Sequence, residues 1–211
     1  MDFEPTTENK MMTATLKRYF QDKYPLHERN KIAYQMPFHN PNRWQELGQL
    51  GIFAALVSEI DGGLGGKGCD ISLIFENFGR VLCCEPVLPL LIASKILSAS
   101  GHEQSGLLAG TIKYAVAYSE PDAPYLLEDI STTASSSNKL NGHKTLVYGG
   151  HIADRIIVAA NFEDSLNLYE IETTEAQLIP YGLIDGGGGA DLVLENTPSR
   201  LLIRSATTTL Q

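Results

Sequence analysis

Apolar residues recur three and four positions apart up to about Thr111, and from Ile112 onward they alternate with polar ones at period two. The first rhythm is that of a helix with one buried face, the second that of a strand. Met12, Leu16, Tyr19 and Phe20 predict an amphipathic helix over residues 8–22, opened by Thr7 and Glu8 and ended by Pro25. Residues 25–41 read as polar and irregular, punctuated by Pro25, Pro37 and Pro41. Asn40-Pro41 starts a second helix with the stripe Trp44, Leu47 and Leu50; Gly51 closes it, and the short apolar run Ile52–Val57 follows. Ile71, Ile74, Phe75, Phe78 and Leu82 keep the cleanest helical period, with Asp70 as the expected cap and Glu76 and Arg80 able to pair outside. Pro86 and Pro89 open a further helix through Leu97, apolar all round and so expected to be buried, with Gly101 as its stop. Residues 103–109 add a short helix.

Strands are expected at Lys113–Ser119, Ile130–Ser136, Lys144–Tyr148, Asp154–Asn161, Leu166–Glu172, Gln177–Ile184, Asp191–Glu195 and Arg200–Ile203. Asn141-Gly142 is the strongest hairpin signal. Further turns fall at Gly149-Gly150, Glu163-Asp164, the glycines 186–189 (a mobile turn) and Asn196–Pro198. Ile156–Val158, apolar on both faces, belongs at the centre of a sheet, and the small polar run Thr132–Asn138 at an edge. The fold class is therefore α+β: an all-helical N-terminal domain over 1–111, then a small antiparallel β-barrel or sandwich domain over 112–211. On the first strand Tyr114, Val116 and Tyr118 share one face and Ala115, Ala117 and Ser119 the other. The nearly bare face admits either a flat ligand against the backbone or simply a closely packed neighbouring element, with Pro121 ending the strand.

Composition narrows the function classes. A net charge of -9 and thinly spread Lys and Arg disfavour a nucleic-acid partner. No segment resembles a signal core, and the longest apolar run, Val87–Ala93, is broken by Pro89 and too short to span a membrane, so membrane insertion is not expected. Cys69, Cys83 and Cys84 are odd in number and two are adjacent, which disfavours a disulfide framework and suits a reducing cytoplasm. Gly63, Gly65 and Gly68 match G-x-G-x-x-G before a helix, but Ser58–Asp61 separates them from the apolar run, so a surface loop ordering a helix start is the better reading than a dinucleotide grip. The five histidines have no metal-ligand spacing and no metal is expected. Glu120 suits either a general base or the holding of a backbone turn.

Five pieces in order carry a family resemblance: Trp44-Gln-Glu-Leu-Gly with Leu50-Gly-Ile52; Val57 to Gly65; Glu76-Asn-Phe-Gly-Arg80; Ala117-Tyr-Ser-Glu-Pro121; and Leu140-Asn-Gly-His-Lys144. Taken together they resemble the acyl-CoA dehydrogenase family. The resemblance implies a helical N-terminal domain, a β middle domain and a C-terminal four-helix domain, with FAD between the last two. The chain is expected to stop where the middle domain does, so the C-terminal domain and the catalytic Glu it carries in most of the family fall outside it, and no catalytic residue is assigned. By resemblance the cofactor-binding positions are Val116, Tyr118, Ser119, Leu146 and Tyr148. Leu146 stands where the family often has a flavin-stacking aromatic residue, and Tyr148 where it usually has a Thr or Ser hydroxyl. Tyr125 lies in the run Asp122–Leu126, larger and stiffer than the family's ligand-contacting residues, and is assigned to substrate binding. The implied activity is α,β-dehydrogenation of an acyl-CoA thioester with hydride transfer to FAD. Implied partners are an electron-transfer flavoprotein-type acceptor and further subunits in a homo- or hetero-oligomer. The alternative is a non-flavin partner subunit of a heteromeric acyl-CoA dehydrogenase that shapes the substrate cleft.

Overall fold

The computed structural model describes residues 5–206 and residue 210. Among the described residues seven α-helices come first: α1 Thr7–Lys23, α2 Leu26–Ala33, α3 Pro41–Gln49, α4 Ile52–Ala55, α5 Gly68–Arg80, α6 Val87–Ala99 and α7 Ser105–Leu108. Eight strands follow: β1 Tyr114–Ala117, β2 Thr133–Ala134, β3 Lys139–Tyr148, β4 Arg155–Phe162, β5 Ser165–Glu172, β6 Gln177–Gly182, β7 Gly188–Pro198 and β8 Arg200–Ile203.

Local chemistry accounts for most helix ends. The Asn40 carboxamide accepts the N–H groups of Asn42 and Arg43, and Pro41 occupies the first turn, where its missing N–H costs nothing. Asp70 is not the cap of α5; it lies one turn in and reaches back to accept the Lys67 N–H at 3.0 Å. The segment 25–41 is not irregular throughout, because α2 forms within it. Its sequence, LHERNKIA, has almost no apolar stripe, so tertiary contacts select the helix: Arg29 Nε donates to the Leu82 carbonyl at 3.1 Å. The apolar α6 is buried along most of its length, yet Leu88 and Ile92, one turn apart, remain exposed.

The hydrogen-bonded path runs β6-β7-β3-β2-β4-β5-β8, with β1 parallel to β4, and its ends do not join. The sheet is thus largely antiparallel but mixed, and open, not a closed barrel. β4 is its centre: Ile157 and Ala159 enter the core shared with the helices, while Ile156, Val158 and Ala160 enter a second core between the strands. Trp44 and Phe53 anchor the helical side with ring centroids 4.5 Å apart, and Trp44 Nε1 donates to the Gly110 carbonyl at 2.9 Å.

Four turn and strand expectations change. Asn141-Gly142 is no hairpin; both lie within β3, where a register shift interrupts the ladder and Thr132 packs where a Cβ of Gly142 would stand. The turn falls instead at Ser135–Asn138, with Asn138 at φ 54°. The expected strand at Ile130–Ser136 shrinks to two residues and sits between β3 and β4, not at an edge, because Glu120 takes the Ser131 and Thr132 N–H groups. The glycines 186–189 are buried, Gly188 against His151 and Gly186 against Arg29 and Ala33, and so join the sheet to the helices instead of forming a free turn. Asn196–Pro198 belongs to β7 itself, opposite the β3 irregularity.

Candidate functional site

The segment leaving β1 is fixed by one buried carboxylate. Glu120 accepts Ser131 N and Oγ (2.8 and 2.6 Å), Thr132 N and Oγ1 (3.0 and 2.5 Å) and Lys144 Nζ (2.7 Å). Lys144 is fully buried and also donates to the Tyr118 carbonyl at 3.3 Å. Burial opposes the charge on Glu120, but the donors from Lys144, Ser131 and Thr132 outweigh it and hold the carboxyl down at about 2. Burial pushes Lys144 down to about 8 against the pull of Glu120, so both groups are charged at neutral pH. With every lone-pair direction occupied, Glu120 holds a turn and has no capacity left to act as a base. Lys144 was not singled out from the sequence, although its place at period two from Leu140 on an inward face was a usable signal.

This clamp aligns β1 with β3. Thr145 N donates to the Ser119 carbonyl at 2.9 Å, which sets Leu146 beside the Tyr118-Ser119 pair. Leu146 occupies a bulge at φ 52°, its N–H turned to the Tyr181 hydroxyl at 3.0 Å and Asp191 at 3.3 Å, and its side chain is 59% exposed. Ser119 is buried and its hydroxyl donates to the Pro124 carbonyl at 3.3 Å. Among the described residues, no carbonyl takes the Ser119 backbone N–H.

Four of the six residues singled out from the sequence fall in two hollows, and Ser119 and Leu146 line neither. Val116, Tyr118 and Tyr125 line one cavity of about 520 Å³ together with Ile92 and Leu126; Tyr125 is almost wholly exposed there. Tyr148 lines a different cavity of about 600 Å³, with Arg29, Phe75, Leu88 and Asp185. Burial raises the Tyr148 phenol well above its ordinary range. The exposed α6 residues Leu88 and Ile92 border one hollow each, a single helical turn apart. Among the described residues, no group of three or more His, Cys, Asp or Glu is placed to hold a metal ion, and no helix is long and apolar enough to cross a membrane.

Residues 6–105 match the family described as acyl-CoA dehydrogenase, N-terminal domain. The chain is 25% identical over 167 residues to the mitochondrial long-chain specific acyl-CoA dehydrogenase of Rattus norvegicus, an alignment covering 74% of this chain and 38% of that protein. The chain therefore spans well under half the length of such relatives. Its fold is that of an acyl-CoA dehydrogenase complexed with FAD from Bacillus anthracis (TM-score 0.79, 22% identity, 95% of this chain and 38% of the other). It matches the ChsE4–ChsE5 complex from Mycobacterium tuberculosis equally well (TM-score 0.79, 17% identity, 97% and 56%). With helices followed by a mixed sheet in the same arrangement, this chain has the fold of the acyl-CoA dehydrogenases, and its residues 6–105 match the N-terminal domain of that family.

Proposed function

We propose that this chain is the flavin-facing part of an acyl-CoA dehydrogenase-like flavoprotein acting on an acyl-CoA thioester. The observation that carries the proposal is the junction of β1 and β3: a Ser119 N–H that no carbonyl among the described residues takes, the exposed Tyr118 beside it and the outward Leu146, all locked by the buried Glu120–Lys144 pair. An unpaired N–H fits the carbonyl-rich edge of an isoalloxazine ring, and a rigid support keeps that donor in place without reorganisation. Bound there, FAD supplies the hydride acceptor for α,β-dehydrogenation. Val116, Tyr118 and Ser119 would hold the ring edge, while Tyr125 and Leu126 exclude water from the neighbouring hollow. Electrons would pass on to an electron-transfer flavoprotein-type acceptor, and the carboxylate base that removes the α-proton would come from outside these residues.

A second reading is favoured by Leu146 and Tyr148. Leu146 offers no aromatic surface, and the Tyr148 phenol faces the other cavity. Both suit a partner subunit that keeps the fold and shapes the cleft of a flavin-bearing sister chain. Titration of the chain with FAD, followed by flavin fluorescence, separates the two. The flavoprotein reading expects saturable quenching that strengthens in Leu146→Trp/Tyr148→Thr. Unchanged quenching in the double variant counts against the mapping of these positions, and flavin uptake only after addition of another subunit supports the partner reading.

A further inference from the structure

Arg29 on α2 is a buried cation without an anion among the described residues. Its side chain donates from Nε to the Leu82 carbonyl, from Nη1 to the Asn30 amide oxygen and from Nη2 to the Asp185 carbonyl, all neutral acceptors. One N–H on each terminal nitrogen is left without an acceptor among the described residues. No carboxylate among those residues lies within ion-pair distance of Arg29, although the residue is 5% exposed. A guanidinium removed from water needs a counter-charge, and here none comes from the described residues. Arg29 lines the cavity of about 600 Å³ between α2, α5, the start of α6 and the residues before β7. The opposite wall is apolar: Phe75, Phe78, Val87 and Leu88.

Two acids share that wall and have to be weighed. Glu85 is occupied, accepting the Tyr24 hydroxyl at 2.9 Å and the Asn40 N–H at 3.3 Å and pairing with His39 Nδ1. Asp185 is exposed, and its carboxylate accepts the Gly187 N–H at 2.9 Å. Neither neutralises Arg29. We propose that this cavity binds an organic carboxylate with an apolar body, the carboxylate on the free N–H groups of Arg29 and the hydrocarbon along the Phe75–Leu88 wall. The same chemistry is offered by a free fatty carboxylate or by the far carboxylate of an acyl thioester, and only the second source rests on the dehydrogenase reading above.

Calorimetric titration of the 211-residue chain with sodium octanoate and with octanamide tests the site. Octanoate should bind at least about tenfold more tightly, the preference expected of a charge-assisted hydrogen bond. Arg29→Gln should abolish that preference. Two variants leave Arg29 in place and cover a failure of that variant to fold. Gly79 lines the cavity and a Cβ there meets nothing within 4 Å, so Gly79→Leu should fill the space and abolish binding of both probes. Asp185→Asn keeps the bond to Gly187 while removing a negative charge, and should tighten octanoate alone. Equal binding of the two probes, or octanoate binding untouched by Gly79→Leu, overturns the proposal. A second pair, octanoyl-CoA and the CoA half-thioester of suberic acid, assigns the source. Preference for the half-thioester supports an acyl tail; its absence with octanoate selectivity intact supports a free acid and leaves the site standing whatever becomes of the dehydrogenase reading.

Discussion

Replacing Lys144 by Met should destabilise the protein more than any exposed charge change, for a reason visible around Glu120. The Met side chain fills a similar volume, so the effect isolates the charge. The remaining Ser131 and Thr132 donors would still hold the carboxylate, but its negative charge would be buried without a cation. Removing one member of a buried pair costs about 3–5 kcal/mol. The depression of the Glu120 carboxyl from 4.5 to about 2 corresponds to about 3 kcal/mol of preference for the ionised form in the fold, of the same order. Guanidinium unfolding followed by circular dichroism at neutral pH measures the loss directly. The pH dependence supplies an independent readout with a definite sign. A carboxyl depressed in the fold contributes stability that is present above its unfolded value of 4.5 and is lost as pH falls towards about 2. Without Lys144 the carboxyl is less depressed, so the acid limb of the stability profile should move to higher pH. A loss below about 1 kcal/mol, as for a surface pair, together with an unmoved acid limb would refute the claim that the pair fixes the β1–β3 junction.

Other substitutions probe the frame around that junction. Gly63→Ala places a methyl 2.1 Å from the Val57 carbonyl oxygen and should lower the melting temperature by several degrees, because backbone has to move. Trp44→Phe removes the bond to the Gly110 carbonyl and leaves that buried acceptor without its donor; about 1–3 kcal/mol should be lost in chemical denaturation. Tyr24→Phe deletes one of the donors to buried Glu85 and should cost a similar amount, whereas Arg80→Ala, whose partner Glu76 is exposed, should change stability by less than about 1 kcal/mol.

The order of helices followed by strands was legible because hydrophobic period is a local property. Trp44, Leu47, Ile74 and Phe78 announce their helices and lie in the core those helices build. The family motifs likewise contained Ser119, Glu120 and Lys144, in two separate pieces, though nothing local brought the pieces together or distinguished Glu120 as a structural clamp from Glu120 as a base. The misread places share a cause. Asn141-Gly142 carries ideal hairpin chemistry, yet the glycine is needed for the approach of Thr132 from another strand. α2 lacks an apolar stripe and exists because Arg29 finds carbonyls on Leu82, just past α5, and on the residues before β7.

The sequence by itself determined the order of most helices and strands, which faces are apolar and which family the chain resembles. These follow from side-chain period, capping chemistry and motif order, all carried by residues close in the chain. Only the tertiary structure decided that Lys144 pairs with Glu120, that Val116 and Tyr118 border a different hollow from Tyr148, and that Arg29 is buried beside a cavity with no counter-ion among the described residues. Those facts depend on charges and backbones brought together from positions as far apart as α2 and β7, where desolvation, not local propensity, sets the energy.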